Sequence, residues 1–184
     1  RFIIAAVLAF VFASGDAQAN RTNNCSDEAQ ANIALAVRFI NNNMDRLKNP
    51  PFSLGKRRGQ RRRIHRKMDR KLGKLRYGCK AAVLCPVGDT KNGHAMWGIM
   101  GRKVRLCYDN MKHRGFQFCG LVRTVAHEFG HTVGIPKDPF AQHGKNRSDR
   151  VYQFGRFARE LCEEAGLQRP LDALPRWTSW KKRY

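Results

Sequence analysis

The stretch CGLVRTVAHEFGHTVG, residues 119–134, combines a largely apolar pattern with two histidines and a glutamate. Its apolar residues cover much of the circumference of a helix, which predicts a buried helix from about Cys119 to Val133. Gly134 is typical of the residue that ends such a helix. The polar residues His127, Glu128 and His131 require binding partners at such a position, because unpaired polar groups are costly to bury.

A metal ion can be that partner. The spacing of four residues places the imidazoles of His127 and His131 on one helix face, one turn apart, where both can bind one zinc ion. A third protein ligand leaves the fourth position to water, whose pKa zinc lowers to about 7. Glu128 can then accept the proton of this water as a general base. The pattern predicts one zinc per chain and hydrolysis at a carbonyl. The alternatives are a chance match or a hydrogen-bonded histidine pair in the core.

Two protein families share parts of this pattern. The segment from His127 to Gly134 resembles the metzincins, in which a histidine three residues after the glycine completes the site. Lys137 stands there in this chain, and lysine is a poor zinc ligand. The chain also resembles the aspzincins, the deuterolysin-like metallopeptidases. That resemblance covers about residues 103–160 and includes the strand-like segment 104–108, which contains Cys107, and the segment 146–154, similar to Asn-Ala-Asp-x-Tyr-x-x-Phe.

The aspzincin resemblance implies an aspartate as the third zinc ligand, and Asp138 is our leading candidate, with His143 as its rival. Ala141 stands where the family has a tyrosine, so Tyr152 becomes the candidate for stabilising the oxyanion. The resemblance further implies an α+β, zincin-like fold in which a small sheet packs on helices and the active-site helix is buried. An edge strand within residues 94–108 would pair with an extended peptide. The implied activity is that of a zinc metalloendopeptidase.

The first residues and the cysteines of the chain predict export. Residues 1–19 read as a signal peptide, with an apolar run too short to span a membrane and Ala17-Gln18-Ala19 as a cleavage signal. Residues 20–184 then form a single catalytic domain, which we expect to be secreted and monomeric. All six cysteines lie in this part, which suggests up to three disulfides of undetermined pairing.

A basic segment at residues 56–76 dominates the charge of the chain. It holds twelve lysines and arginines and one acid, Asp69, and the whole chain carries a formal net charge of +22. Ile64, Met68, Leu72 and Leu75 recur near helical spacing, which favours a cationic helix with a thin apolar stripe. The segment is either a solvated charged surface or a docking surface for an anionic surface or polymer. The alternative to a peptidase acting on proteins or peptides is therefore a cationic, toxin-like secreted protein that binds polyanions or cell walls, with a structural or degenerate zinc site.

The remaining elements follow from hydrophobic periodicity. We predict a helix from Ser26 to about Leu47, capped by Ser26. Short apolar or alternating runs at residues 81–85, 94–100 and 104–108 predict a sheet of about three strands. A further helix is expected from about Ser148 to Ala165. Its apolar residues recur at helical spacing and should face the core: Val151, Phe154, Ala158, Leu161 and Ala165.

Overall fold

The computed structural model describes residues 25–71, 74–79, 85, 93–95, 103–136 and 149–173. In this part the chain is α+β, as expected. The predicted signal peptide, Lys137, Asp138, Ala141 and His143 lie outside the described residues. None of the described helices is long and apolar enough to cross a bilayer.

Helix α1 (Asp27–Asn42) begins as predicted, because the Ser26 side chain accepts a hydrogen bond from the backbone N–H of Ala29 at 3.3 Å. The single helix expected to reach Leu47 is instead broken at Asn43, where α2 (Met44–Lys48) starts. The Asn43 side chain donates to the carbonyl of Phe39 at 2.9 Å. Asparagine competes for backbone hydrogen bonds in this way, which makes it a poor residue for a helix interior.

The basic segment forms helix α3 (Arg58–Lys71), and its apolar residues Ile64 and Met68 are buried as the thin stripe predicted. Leu75 is also buried but lies beyond the helix, and Leu72 is not among the described residues. The helix therefore rests on the core along one face and carries its arginines on the other.

The sheet contains β1 (Arg76–Cys79), β2 (Gly93–Ala95) and β3 (Lys103–Leu106), in the order β1-β3-β2. Strand β3 is central, parallel to β1 and antiparallel to β2. Its residues alternate between exposed and buried, so that Val104 and Leu106 reach the core. Strand β1 was not predicted, and the strand expected at 81–85 lies outside the described residues except for Cys85.

Helices α4 (Tyr108–His113), α5 (Phe118–Val133) and α6 (Arg150–Glu164) complete the described elements, and α4 was not predicted. The expected bounds of α5 and α6 agree with the structure to within two residues. Helix α5 packs most extensively on α6 and also contacts α1, α3, β2 and β3. The helix that carries His127, Glu128 and His131 is therefore the centre of the core.

All six cysteines are paired, which resolves the connectivity that the sequence left open. Cys25–Cys79 joins the start of α1 to β1, Cys85–Cys107 joins a residue between β1 and β2 to the end of β3, and Cys119–Cys162 joins α5 to α6. Three disulfides are compatible with a secreted protein.

Candidate metal centre

The end of α5 is fixed immediately after His131. Gly134 adopts the left-handed backbone conformation, with φ 84°, which residues other than glycine rarely adopt. The N–H of Ile135 donates to the carbonyl of Gly130 at 3.0 Å, and the N–H of Gly134 donates to that of His131 at 3.2 Å. This pair of bonds is the Schellman ending of a helix. Buried Ile135 anchors it, so the last turn, including His131, is held in place.

The two histidine rings lie next to each other, one helical turn apart. Their Nε2 atoms are 3.1 Å apart, and the ring planes are nearly perpendicular, with centroids separated by 4.6 Å. His131 is buried. The spacing of four residues therefore brings two imidazole nitrogens together on one face of α5.

The donor set fits two positions of a zinc site. Two nitrogens bound to one tetrahedral zinc at about 2.0–2.1 Å lie about 3.3–3.4 Å apart. The 3.1 Å between the Nε2 atoms of His127 and His131 is close to that value, and a small rotation of either ring reaches it. The same separation also suits a hydrogen bond between two neutral rings, which is the alternative that the sequence left open.

Glu128 is the third polar residue of the motif, and only 5% of its surface is exposed. It directly follows His127 on the same buried helix, and its charge acts on the neighbouring Tyr152. A buried carboxylate beside a metal-binding histidine is a suitable acceptor for a proton of water.

Helix α6 closes on the site at Gly155. A Cβ atom at that position would lie 2.9 Å from the carbonyl oxygen of Arg123 and 3.2 Å from Cβ of His127. Only glycine allows this approach without a shift of the α5 backbone. The Cys119–Cys162 disulfide fastens the same two helices. No local sequence pattern predicts the role of Gly155, because that role depends on the crossing of two helices that are far apart in the chain.

Tyr152 lies one turn before Gly155, and its ring centroid is 4.4 Å from that of His127. Burial raises the pKa of Tyr152, and the charges of Asp149 and Glu128 act in the same direction while Arg123 opposes them. The phenol therefore keeps its proton at neutral pH. The structure places this candidate beside the histidine pair.

Two further charged residues approach the site, and neither was predicted to belong to it. Asp149 is buried and caps α6, because its Oδ1 accepts from the N–H of Val151 at 2.9 Å. Asp149 therefore marks the start of α6. Arg123 lies one turn before His127, and desolvation followed by repulsion from Arg159 and Arg156 lowers the pKa of its guanidinium.

The candidates for the third ligand, Asp138 and His143, are not among the described residues. Within the described ranges, no group of three or more histidine, cysteine, aspartate or glutamate side chains is arranged to hold a metal ion. The structure thus brings together His127 and His131 near Glu128 and Tyr152, and it leaves the choice of third ligand a prediction.

Comparison of the chain with family models, with curated proteins and with solved structures finds no match.

Proposed function

We propose that this chain is a secreted zinc metallopeptidase that hydrolyses peptide bonds, with Glu128 as its general base. The observation that carries the proposal is the pair of Nε2 atoms of His127 and His131, 3.1 Å apart on the central buried helix. Glu128 lies between them in the sequence and is also buried. Two imidazoles and an acid in this arrangement suit metal-assisted hydrolysis better than they suit a core without a metal.

His127 and His131 would hold one zinc ion, with Asp138 as the proposed third ligand and His143 as the alternative. When bound, zinc polarises a carbonyl and lowers the pKa of water. The Glu128 carboxylate accepts the proton of the attacking water and passes it to the nitrogen of the leaving amine. The neutral hydroxyl of Tyr152 donates a hydrogen bond to the oxyanion that develops on the substrate carbonyl.

The substrate would be an extended peptide paired with β2. In the described sheet β2 lies at an edge, and it contacts α5. Backbone hydrogen bonds along an open edge give affinity for a peptide of almost any sequence. We therefore extend the zincin-like interpretation of the fold to this edge and propose an endopeptidase that acts on proteins or peptides.

The substitution Glu128→Gln tests this function. We expect it to lower the rate of cleavage of an unfolded protein substrate by about 10²–10⁴-fold, because the amide cannot accept the proton of water. Zinc content should not change, since Glu128 is not a proposed ligand. The rate is measured with the full chain, with and without zinc.

The matched control is Glu160→Gln, the same change at an exposed position of α6. It should cleave the substrate at the rate of the unmodified chain. Equal activity in the Glu128→Gln and Glu160→Gln variants would rule out Glu128 as the general base. A zinc-loaded unmodified chain that cleaves no unfolded protein would rule out the peptidase.

A further inference from the structure

A cationic cavity lies where α3 ends and the chain turns toward β1. Its volume is about 280 Å³, and the described residues that line it are Lys67, Arg70, Lys71, Lys74 and Leu75. Four of these five carry a positive charge, and Leu75 is buried beneath them. A concave surface lined by side chains of one charge sign attracts ions of the opposite sign.

Two of the four cations that line this cavity lie against the end of α5. The Lys71 ammonium donates to the carbonyl oxygen of Thr132 at 2.8 Å. The Lys67 Nζ lies 3.6 Å from the place where a Cβ on Gly134 would be. Positive side chains are favourable near the C-terminal end of a helix, where the dipole is negative. Contact with α5 therefore holds the Lys67 and Lys71 ammonium groups close to each other.

The acid of the basic segment does not neutralise the cavity. Asp69 is the one acid among residues 56–76, and it pairs with Lys48 of α2. Its hydrogen bond raises the pKa of Lys48. The side chains that line the cavity therefore keep an excess of positive charge.

A ridge of arginines leads from the cavity along the solvent side of α3. Arg62, Arg66 and Arg70 are exposed and follow each other at intervals of four residues, which is about 6 Å along a helix axis. The Nε of Arg70 donates to the carbonyl of Arg66 at 3.2 Å, which aligns the side chain with the ridge. A row of evenly spaced charges ending in a cavity suits a linear polymer that carries repeated anionic groups.

The chemistry of the surface selects among such polymers. Residues 56–76 contain no phenylalanine, tyrosine or tryptophan on which nucleic-acid bases can stack. The apolar residues of α3, Ile64 and Met68, are buried in the core and cannot enter a bilayer. The three disulfides are compatible with an extracellular partner. Planar guanidinium groups bind oxyanions through two parallel hydrogen bonds.

We propose that the cavity and the ridge of Arg62, Arg66 and Arg70 bind a linear sulfated polysaccharide, with one sulfate group in the cavity and the following ones along the ridge. This binding is independent of the peptidase chemistry, and the Glu128→Gln variant should retain it. Its consequence would be to hold the protein on an extracellular matrix or surface.

Binding of heparin to the full chain tests the proposal, with the double substitution Arg70→Gln and Lys74→Gln as the critical variant. Both side chains are exposed, so the fold should not change, and the thermal unfolding temperature checks this. We expect affinity to fall at least tenfold and the slope of log affinity against log salt to decrease by about 2, one for each lost contact.

The matched control removes the same two charges elsewhere, with Arg46→Gln and Arg159→Gln, which form exposed ion pairs with Glu164 and Glu163. It should bind heparin within twofold of the unmodified chain. An equal loss in both double variants would overturn the proposal, because only net charge would then matter. Tighter binding at the same ionic strength to single-stranded DNA, to phosphatidylglycerol vesicles or to desulfated heparin would also overturn it.

Discussion

At the scale of single residues, the candidate centre depends on how closely α6 approaches His127. Gly155 is the contact point, and Tyr152 reaches the His127 ring from the preceding turn. His127, Glu128 and His131 could be predicted because their spacing on one helix is written in the local sequence. Gly155 could not, because its importance comes from a crossing between residues that are far apart in the chain.

The substitution Gly155→Ala should lower the free energy of unfolding by about 1–3 kcal/mol, the usual effect of overpacking a core. Its Cβ would press on the Arg123 carbonyl and on His127. We also expect weaker zinc binding, because His127 must shift. Urea unfolding and zinc titration measure the two effects.

The control is Gly59→Ala in α3, where an added Cβ meets nothing within 4 Å. This change should raise the free energy of unfolding by about 0.5–1 kcal/mol, because alanine is the better helix former. A Gly155→Ala variant as stable as the unmodified chain would show that α6 does not press on the site.

At the scale of elements, one buried asparagine connects α1 to α4 and to the segment after α6. The Asn32 side chain donates to the hydroxyl of Tyr108 at 2.7 Å and to the carbonyl of Leu171 at 2.8 Å, and it accepts from Arg169 at 2.7 Å. Arg169 lies over the ring of Phe118. This network ties α1 to the first turn of the helix that carries the histidines.

The substitution Asn32→Leu should lower the free energy of unfolding by about 1–3 kcal/mol, because it leaves buried polar partners without their hydrogen bonds. The same change at exposed Asn41 of α1 is the control, and it should alter stability by no more than about 0.5 kcal/mol. Equal unfolding midpoints for the two variants in urea would contradict a structural role for this network.

Element boundaries show where sequence patterns suffice. Helices α5 and α6 could be predicted because each has a strong apolar face and a clear start or end signal, such as Gly134 or Asp149. Strand β1, Arg-Tyr-Gly-Cys, is short, starts with a charge and contains a glycine, so its pattern is weak. The break at Asn43 also escaped prediction, since apolar periodicity continues through it.

At the scale of the whole molecule, the cationic surface and the buried histidine motif lie in different parts of the fold. The formal net charge of +22 could be read from the sequence, but the cavity at the end of α3 depends on how that helix packs on α5. Glu128 and His131 of α5 are buried, and polar groups are costly to bury unless they have a binding partner. Metal binding there should therefore stabilise the entire fold, in proportion to affinity and free zinc.

The most direct test of the metal centre is X-ray absorption at the zinc edge of the full chain, with metal content measured on the same sample. We expect one zinc per chain and a first shell that contains two imidazole nitrogens at about 2.0–2.1 Å. A His127→Ala, His131→Ala variant should retain no zinc. A zinc shell without imidazole, or a chain that retains no zinc after equilibration, would contradict a metal centre at His127 and His131.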